Sequence, residues 1–550
     1  MKPLGPRTLR PLIIAAAAAC ALGGAHAASP AWAATLTQAA DTRGLPAGAA
    51  VAADTSIHVA VSLKLRNEAE LDALVADIMA GRSQTRLTSA QVLDRHSPTV
   101  EQAQAVASYL RDAGFANVAI APNRMIVTGD GSAATIQRAF NTSLRHFQVE
   151  GRDAYANESA AQVPASLAGI VNAVHGLDNV NPLHLFHERA ARDRAAVGPD
   201  TAVGHRPAEF ATIYNADPLS TASDTTIAIM AAGDISQSLT DLAAFVSQSG
   251  YDSPKIKEVF TSQRSGDTAG VIEWDLDSQT SLGVAGGKVK KMIFYIARDV
   301  FSLAPFVEAF NLSVADNEAQ IVNASLGTCE IGEHNNGDEA AIDASFKVGI
   351  AQGQTFTISS GDSGARQCSS NITGGESYPA VSPYATAIGG TLLNTNGQTE
   401  YASETVWALG GGGMSTTEKV PKYQKKAIDS IDLTGRGIPD ISFSAAPSSG
   451  AIIVIDGGND TEQVGGTSLS APMFMGFWAR IQTMHANALV SPNHAIYKFT
   501  KKKSNAKLYT HDVTSGSNGY SAGPGWDLGT GYGSLDVAAF ADFVDTHPGF

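Results

Sequence analysis

Cysteine is scarce in this chain, with Cys20, Cys329 and Cys368 the three in 550 residues. Without a CxxC pair or a Cys/His cluster, nothing points to zinc or to a haem attachment. Basic charge is also short. Lys and Arg number 38 against 53 Asp and Glu, a net charge of −15, so binding a phosphate backbone is not a main function and nucleic acid is not an expected partner. Beyond one N-terminal run there is no long apolar stretch, and there is no internal repeat or low-complexity tract. From Arg206 onward the histidines are His334, His485, His494, His511 and His547. None precedes Gly-Thr, so the His-Gly-Thr base of an ordinary subtilisin is missing. A lipase-type Gly-x-Ser-x-Gly does not occur around Ser468 either.

What is present begins with an address. Lys2, Arg7 and Arg10 precede the apolar run Leu12 to Leu22, and Ala25-His26-Ala27 follows it. This is the layout of a secretory signal peptide over residues 1–27, and the run is too short to span a bilayer. Cys20 sits inside it, but Ala17 is a poor start for a lipoprotein motif. The mature chain is therefore expected to be secreted, extracellular or periplasmic, with no membrane contact after signal removal. Two cysteines remain, for which one disulfide is the default in an exported protein and two buried thiols the alternative. The length allows two or three domains with a large core.

Residues 28–55 are rich in Ala, Gly and Thr with little periodicity, and loose order is expected there. Over 55–185 the pattern changes. His58–Leu63, Asn117–Ile120 and Arg124–Val127 read as strands; Glu68–Met79, Thr99–Ala113 (capped at Ser97-Pro98) and Ala133–Phe140 read as helices. Two helices on one face of an antiparallel sheet make a small α+β domain. Residues 186–205, from His187-Glu188-Arg189 to Gly198-Pro199, carry charge, Gly and Pro but no apolar face. An exposed, cuttable linker is the expectation. Over 206–550, apolar runs at Thr226–Ala231, Lys291–Ala297, Ile321–Leu326, Thr355–Ser359 and Ala451–Ile455 alternate with helical stretches at Leu239–Ser247, Leu303–Asn311 and Ala340–Gln352. That alternation is the mark of an α/β fold with a doubly wound, mostly parallel sheet, whose sites lie at the carboxyl ends of strands.

Three motifs carry chemistry. In Val271-Ile272-Glu273-Trp274-Asp275-Leu276-Asp277, Glu273 and Asp277 stand at i and i+4, on one face of a helix, where like charges raise one carboxyl pKa. An acidic helix start can equally be solvated cap chemistry. Ser359-Ser360-Gly361-Asp362-Ser363-Gly364 follows a buried strand directly, as an Asp-Ser-Gly turn also would. Gly465-Gly466-Thr467-Ser468, before a buried helix with Pro472 in its first turn, brings a hydroxyl and free N–H groups to one point, as a nucleophile and oxyanion hole require. A glycine turn with a serine cap reads the same way.

Taken together, these motifs resemble those of the sedolisins, serine-carboxyl peptidases that look like subtilisin with glutamate in place of the histidine base. Tyr378-Pro379-Ala380, Ala387-Ile388-Gly389-Gly390-Thr391, Trp407 before Gly410-Gly411-Gly412-Gly413, and Pro439-Asp440-Ile441 are further phrases of that family. The resemblance implies a subtilisin-like catalytic domain preceded by an activation prodomain that acts as an intramolecular inhibitor. It implies Ser468 as nucleophile, Glu273 as general base, Asp277 as its orienter and a protonated Asp362 as oxyanion donor, in a self-processing, monomeric endopeptidase that cuts protein and peptide substrates. A base needed ionised and a donor needed neutral coexist in mild acid, so acid action follows from the chemistry. Cys329 and Cys368 flank Asp362 as that family's disulfide does. Asp512, Val513, Gly523, Gly525 and Asp527 resemble its site for one structural Ca2+, offering carboxylate and carbonyl oxygens. One departure is Leu326-Gly327-Thr328, where many members carry tryptophan before the first cysteine. A catalytically dead, calcium-stabilised binding protein on the same fold is the competing class, but such proteins usually lose a catalytic residue, and none is lost here.

Overall fold

The computed structural model describes Met1 and residues 31–190, 202–368, 375–428, 430–489, 491–499 and 510–547. Apart from Met1, the signal segment lies outside the described residues, as does the middle of the connector, 191–201.

The N-terminal unit is built on a strand buried on both faces. Ser56–Leu63 pairs antiparallel with Ile126–Ser132 on one side and Val171–His175 on the other, and Ala116–Ile120 completes a four-stranded sheet. Because side chains alternate along a strand, Val59 and Val61 face the helices Val100–Ala113 and Ala133–Phe140 in one core, while Ala60 joins the large core beyond. The helix Val100–Ala113 starts one residue later than expected and is capped by Thr99 instead of Ser97, because Thr99 and Gln102 close a reciprocal capping box. The same device, Thr88 with Gln91, starts a helix at Ser89–Arg95 that periodicity did not reveal. Arg124 lies in a turn with φ 60°, so its strand begins at Ile126. The loose order expected before residue 55 is also corrected: Trp32–Ala34 pairs with Gln162–Pro164, and Ala47–Ala50 with Leu144–Val149. Backbone pairing with distant strands orders a stretch that has no local periodicity.

The second unit has an eight-stranded sheet in the order Ile256–Phe260, Val289–Ala297, Ala222–Ala232, Ile321–Ala324, Thr355–Ser359, Thr386–Asn396, Glu400–Val406, with Ile441–Ser444 also paired to Thr386–Asn396. All of these pairs are parallel except that of Glu400–Val406. Strand order reverses between Ala222–Ala232 and Ile321–Ala324, which opens a crevice at their carboxyl ends. Two expected strands differ. Ile321–Leu326 breaks at Ser325, after which Leu326–Cys329 joins a separate antiparallel sheet with His184–Leu185 and Ser377–Tyr378. Ala451–Ile455 is not in the main sheet but forms an antiparallel pair with Asp460–Gly465.

The N-terminal unit sits on two helices of the second, Ala304–Asp316 and Asp338–Gln352. His58 Nε2 lies 2.7 Å from Glu308, Asn123 donates to Asn311 at 2.7 Å, and Lys347 meets Glu68 at 3.0 Å and Asp72 at 2.9 Å. His175 and Asp338 meet at 2.5 Å, both buried. From this seat the chain enters the crevice instead of forming an exposed linker at once: Glu188–Arg189 pairs with Val464–Gly465, and His205 is buried against Ala451.

Cys329 and Cys368 are joined, 39 residues apart in sequence. By the loop-entropy relation such a closure stabilises the fold by about 4 kcal/mol. Unfolded, unreduced mature protein should therefore titrate no free thiol, and Cys329→Ser should lower the midpoint of denaturant unfolding and, by releasing the unfolded chain, steepen its slope.

Candidate active site

The strand Asp460–Gly465 turns into the helix Thr467–Met484 through Gly466, whose φ of 107° is a conformation side-chain-bearing residues rarely adopt. The helix begins at Thr467, so Pro472 falls in its second turn, not its first. There it removes the donor that would bond the Ser468 carbonyl. Ser468 lies in the first turn, where backbone N–H groups have no helical partner. Its N–H donates to the carbonyl of Phe186 at 2.9 Å, and its Oγ donates to the carbonyl of Ser325 at 3.2 Å.

Glu273 and Asp277 share one face of Val271–Val284, a helix buried without a break from Glu273 to Val284. Asp277 Oδ1 accepts from Ser325 Oγ at 2.6 Å and Asn323 Nδ2 at 3.2 Å. Glu273 Oε2 lies 2.7 Å from His187 Nδ1. The remaining oxygens, Glu273 Oε1 and Asp277 Oδ2, are buried without a hydrogen-bond partner. Burial first, then the charge of Glu273, raises the Asp277 carboxyl well above the usual range.

Asp362 follows the strand Thr355–Ser359, and its Oδ1 accepts twice from one residue, Thr467 N at 2.9 Å and Thr467 Oγ1 at 2.8 Å. Its Oδ2 is buried and unpartnered. Burial raises this carboxyl well above the usual range, against the two Thr467 bonds. A neutral acid whose Oδ1 is already accepting carries its proton on Oδ2. Both that oxygen and the Phe186 carbonyl border Gly466: a Cβ added there would lie 2.7 Å from Oδ2 and 2.1 Å from Phe186 O. The structure thus sets Ser468 and Asp362 beside one peptide carbonyl, with Glu273 against the side chain of the next residue and Asp277 against Ser325.

That carbonyl belongs to a segment laid along the crevice as an extra strand. His184–Leu185 pairs with Leu326–Gly327, Phe186 N donates to Ser325 O at 3.4 Å, and Glu188–Arg189 pairs with Val464–Gly465. The Phe186 ring is buried against Gly327, where an added Cβ would lie 2.9 Å from Phe186 Cε2 and 2.2 Å from Ser377 Oγ.

Sequence reasoning missed Asn323, Ser325, Thr467 and this Phe186–His187 segment. A polar Asn323 inside the apolar run Ile321–Ala324 was the available signal for the first two. It also missed Asp275, buried with both oxygens unpartnered and pushed up to about 8 by burial and by Asp241.

The N-terminal unit matches the family described as "Pro-kumamolisin, activation domain" over residues 44–180, and the subtilase family matches over 289–533. The chain is 40% identical to sedolisin of Pseudomonas sp. (strain 101), over 97% of this chain and 95% of that one. The chain belongs to the sedolisin family. It is therefore a serine-carboxyl peptidase with an activation prodomain as its own inhibitor. Xanthomonalisin of Xanthomonas sp. (strain T-22) is 37% identical over 90% of this chain and 66% of its own. Among solved structures, Pseudomonas sedolisin, a serine-carboxyl proteinase complexed with two molecules of pseudo-iodotyrostatin, matches with a TM-score of 0.60 at 40% identity. It covers 63% of this chain and 100% of that one. The subtilisin-like fold expected of the second unit is the one observed.

Toward the C-terminus, Asp512 accepts from Gly525 N through both oxygens, at 3.2 and 3.0 Å, and Asp527 Oδ2 accepts from Gly523 N at 2.9 Å. Asp527 Oδ1 accepts from Gly529 N and Thr530 N, each at 2.9 Å, and Val513 is buried beside this turn. One loop therefore draws both carboxylates together. Among the described residues no cluster of three or more His, Cys, Asp or Glu could hold a metal, so any cation here depends on carbonyl oxygens as well.

Gly327→Val should expel the Phe186 ring, with an overpacking cost of about 1–3 kcal/mol. In a Ser468→Ala background, an added protease should then cut residues 184–190 faster than in the Gly327 protein.

Proposed function

We propose that this chain is the precursor of an acid-acting endopeptidase in which Ser468 attacks, Glu273 takes the Ser468 proton, Asp277 orients Glu273, and neutral Asp362 stabilises the oxyanion. One observation carries the reading: the Phe186 carbonyl accepts from Ser468 N–H and borders the protonated oxygen of Asp362. A tetrahedral oxyanion formed there meets two donors already in place. The raised Asp277 carboxyl holds its own proton, so the two neighbouring carboxyls do not bury a double charge. After attack, Glu273 returns its proton to the nitrogen of His187, the Phe186–His187 bond breaks, and water releases the acyl enzyme by the same steps. The prodomain's C-terminal strand is thus both inhibitor and first substrate, and the first processing cut falls between Phe186 and His187.

The pH window follows from signs. Asp362 serves while protonated, and its pKa is raised, so activity is lost as pH rises through that value. Glu273 serves while ionised, so activity is also lost when acid protonates it. Secretion by the 1–27 signal, with the exported enzyme working as a monomer, completes the reading.

Asp512 and Asp527, with carbonyls of Val513, Gly523 and Gly525, would hold one Ca2+. The donor set fits: two carboxylates converge on a glycine turn with open space beside Gly523 and Gly525. Burial raises the Asp527 carboxyl, a penalty that a bound cation relieves. The ion would supply structural cross-linking, with no part in the hydrolytic steps.

Ser468→Ala precursor should stay uncut in a clean preparation. Asp362→Asn, which donates through its amide at any pH, should retain turnover with the alkaline limb of its rate profile moved upward, whereas Asp362→Ala should lose roughly 10²–10³ in rate. An unmoved limb in Asp362→Asn would take the donor role away from Asp362.

Chelation of calcium should lower the melting temperature of the mature protein, because a ligand bound only by the folded state stabilises it. Asp527→Ala should show the same loss and no further response to chelator.

A further inference from the structure

Peptide hydrolysis does not require the residue after the cut bond to touch the general base, yet His187 does. Its Nδ1 lies 2.7 Å from Glu273 Oε2, with the imidazole 20% exposed and the carboxylate fully buried. The contact occupies one oxygen of the base. Oε1 keeps no partner, while the Ser468 hydroxyl donates to the Ser325 carbonyl at 3.2 Å and has to turn from it to reach the base. The charged groups around the imidazole are Glu273, with Asp277 one turn along the same helix, Asp362 from the loop after Thr355–Ser359, and Glu188 and Arg189 on its own segment. Arg189 is itself tied to Glu462 at 3.3 Å. With Asp362 and Asp277 protonated, Glu273 in direct contact is the dominant charge, and the one guanidinium is tied up by Glu462, so the surroundings favour the imidazolium. Burial opposes that form, but the hydrogen bond and charge of Glu273 outweigh it, and His187 is held above the usual histidine value.

We propose that His187 is a positioning residue carried by the precursor itself: it fixes Glu273 toward Ser468 and, as a cation, keeps that buried carboxylate ionised during self-cleavage. The proposal rests on the reading of Phe186–His187 as the bond presented to Ser468. Its consequence is that self-cleavage persists at lower pH than cleavage of a peptide with an uncharged residue in that place. Once the bond breaks, His187 begins the next segment and leaves the site, so the assistance belongs to the precursor and to substrates that carry a cation there.

The test measures first-order loss of precursor against pH for the wild type, His187→Gln and His187→Lys, with the mass of the released fragment read in each. In His187→Gln, which keeps a donor but not the charge, the acid limb should move upward by about one pH unit. His187→Lys, which restores a cation, should return the limb toward that of wild type. Identical acid limbs in wild type and His187→Gln would overturn the role of His187. A wild-type fragment ending elsewhere than Phe186 would overturn the bond assignment beneath it, a failure distinct from the first. Should His187→Gln not process at all, mature enzyme is assayed on two peptides that differ only in His or Gln after the cut bond. The His peptide should show its acid limb about one pH unit lower, and coincident limbs would overturn the proposal.

Discussion

Burying carboxyl groups where no lysine or arginine reaches them is the constraint on which the active site depends. Among the described residues, Glu273, Asp277 and Asp362 form no ion pair with either cation, and the one ionisable partner any of them has is His187. An isolated carboxylate in such a place costs several kcal/mol, and the protein responds by protonation instead of by pairing. Burial raises the Asp362 and Asp277 carboxyls for that reason, against the hydrogen bonds each accepts.

The rest of the site converts this chemistry into position. Thr467 binds Asp362 Oδ1 through both its N–H and its hydroxyl, which leaves Oδ2 buried without a partner. Ser325 acts at three points, with its hydroxyl on Asp277 and its carbonyl accepting from Ser468 Oγ and Phe186 N. It can do so because the strand Ile321–Ala324 ends there and the chain leaves the sheet. The prodomain reaches the same place from its seat on two helices by adding strands to both walls of the crevice. Backbone pairing of this kind holds a peptide in register regardless of most side chains, which suits a peptidase and lets its leader serve as the first occupant.

Much of this was legible in the chain. The buried runs announced a parallel sheet because strands covered on both faces read as continuous apolar stretches. Glu273 and Asp277 declared a shared face through helical spacing, and Gly466-Thr467-Ser468 declared a turn into a helix. Other features escaped because their cause is not local. Ala451–Ile455 has the apolar character of a central strand but pairs with Asp460–Gly465, a choice made by the chain's path and not by its hydropathy. Trp32–Ala34 and Ala47–Ala50 are ordered by partners more than ninety residues away.

The sequence by itself determined the family, the order of its units and the motifs that carry Glu273, Asp277, Asp362 and Ser468, since these depend on short stretches with fixed spacing. Only the tertiary structure decided which oxygen of each carboxyl is free, because that depends on donors from Thr467, Ser325 and Asn323 far along the chain. Only it decided, too, that 184–190 lies in the crevice, paired through His184–Leu185 and Glu188–Arg189, and is not an open linker. A charged stretch with no apolar face carries no periodic signal, and its order comes from backbone hydrogen bonds offered by two edges that exist only once the domain has folded.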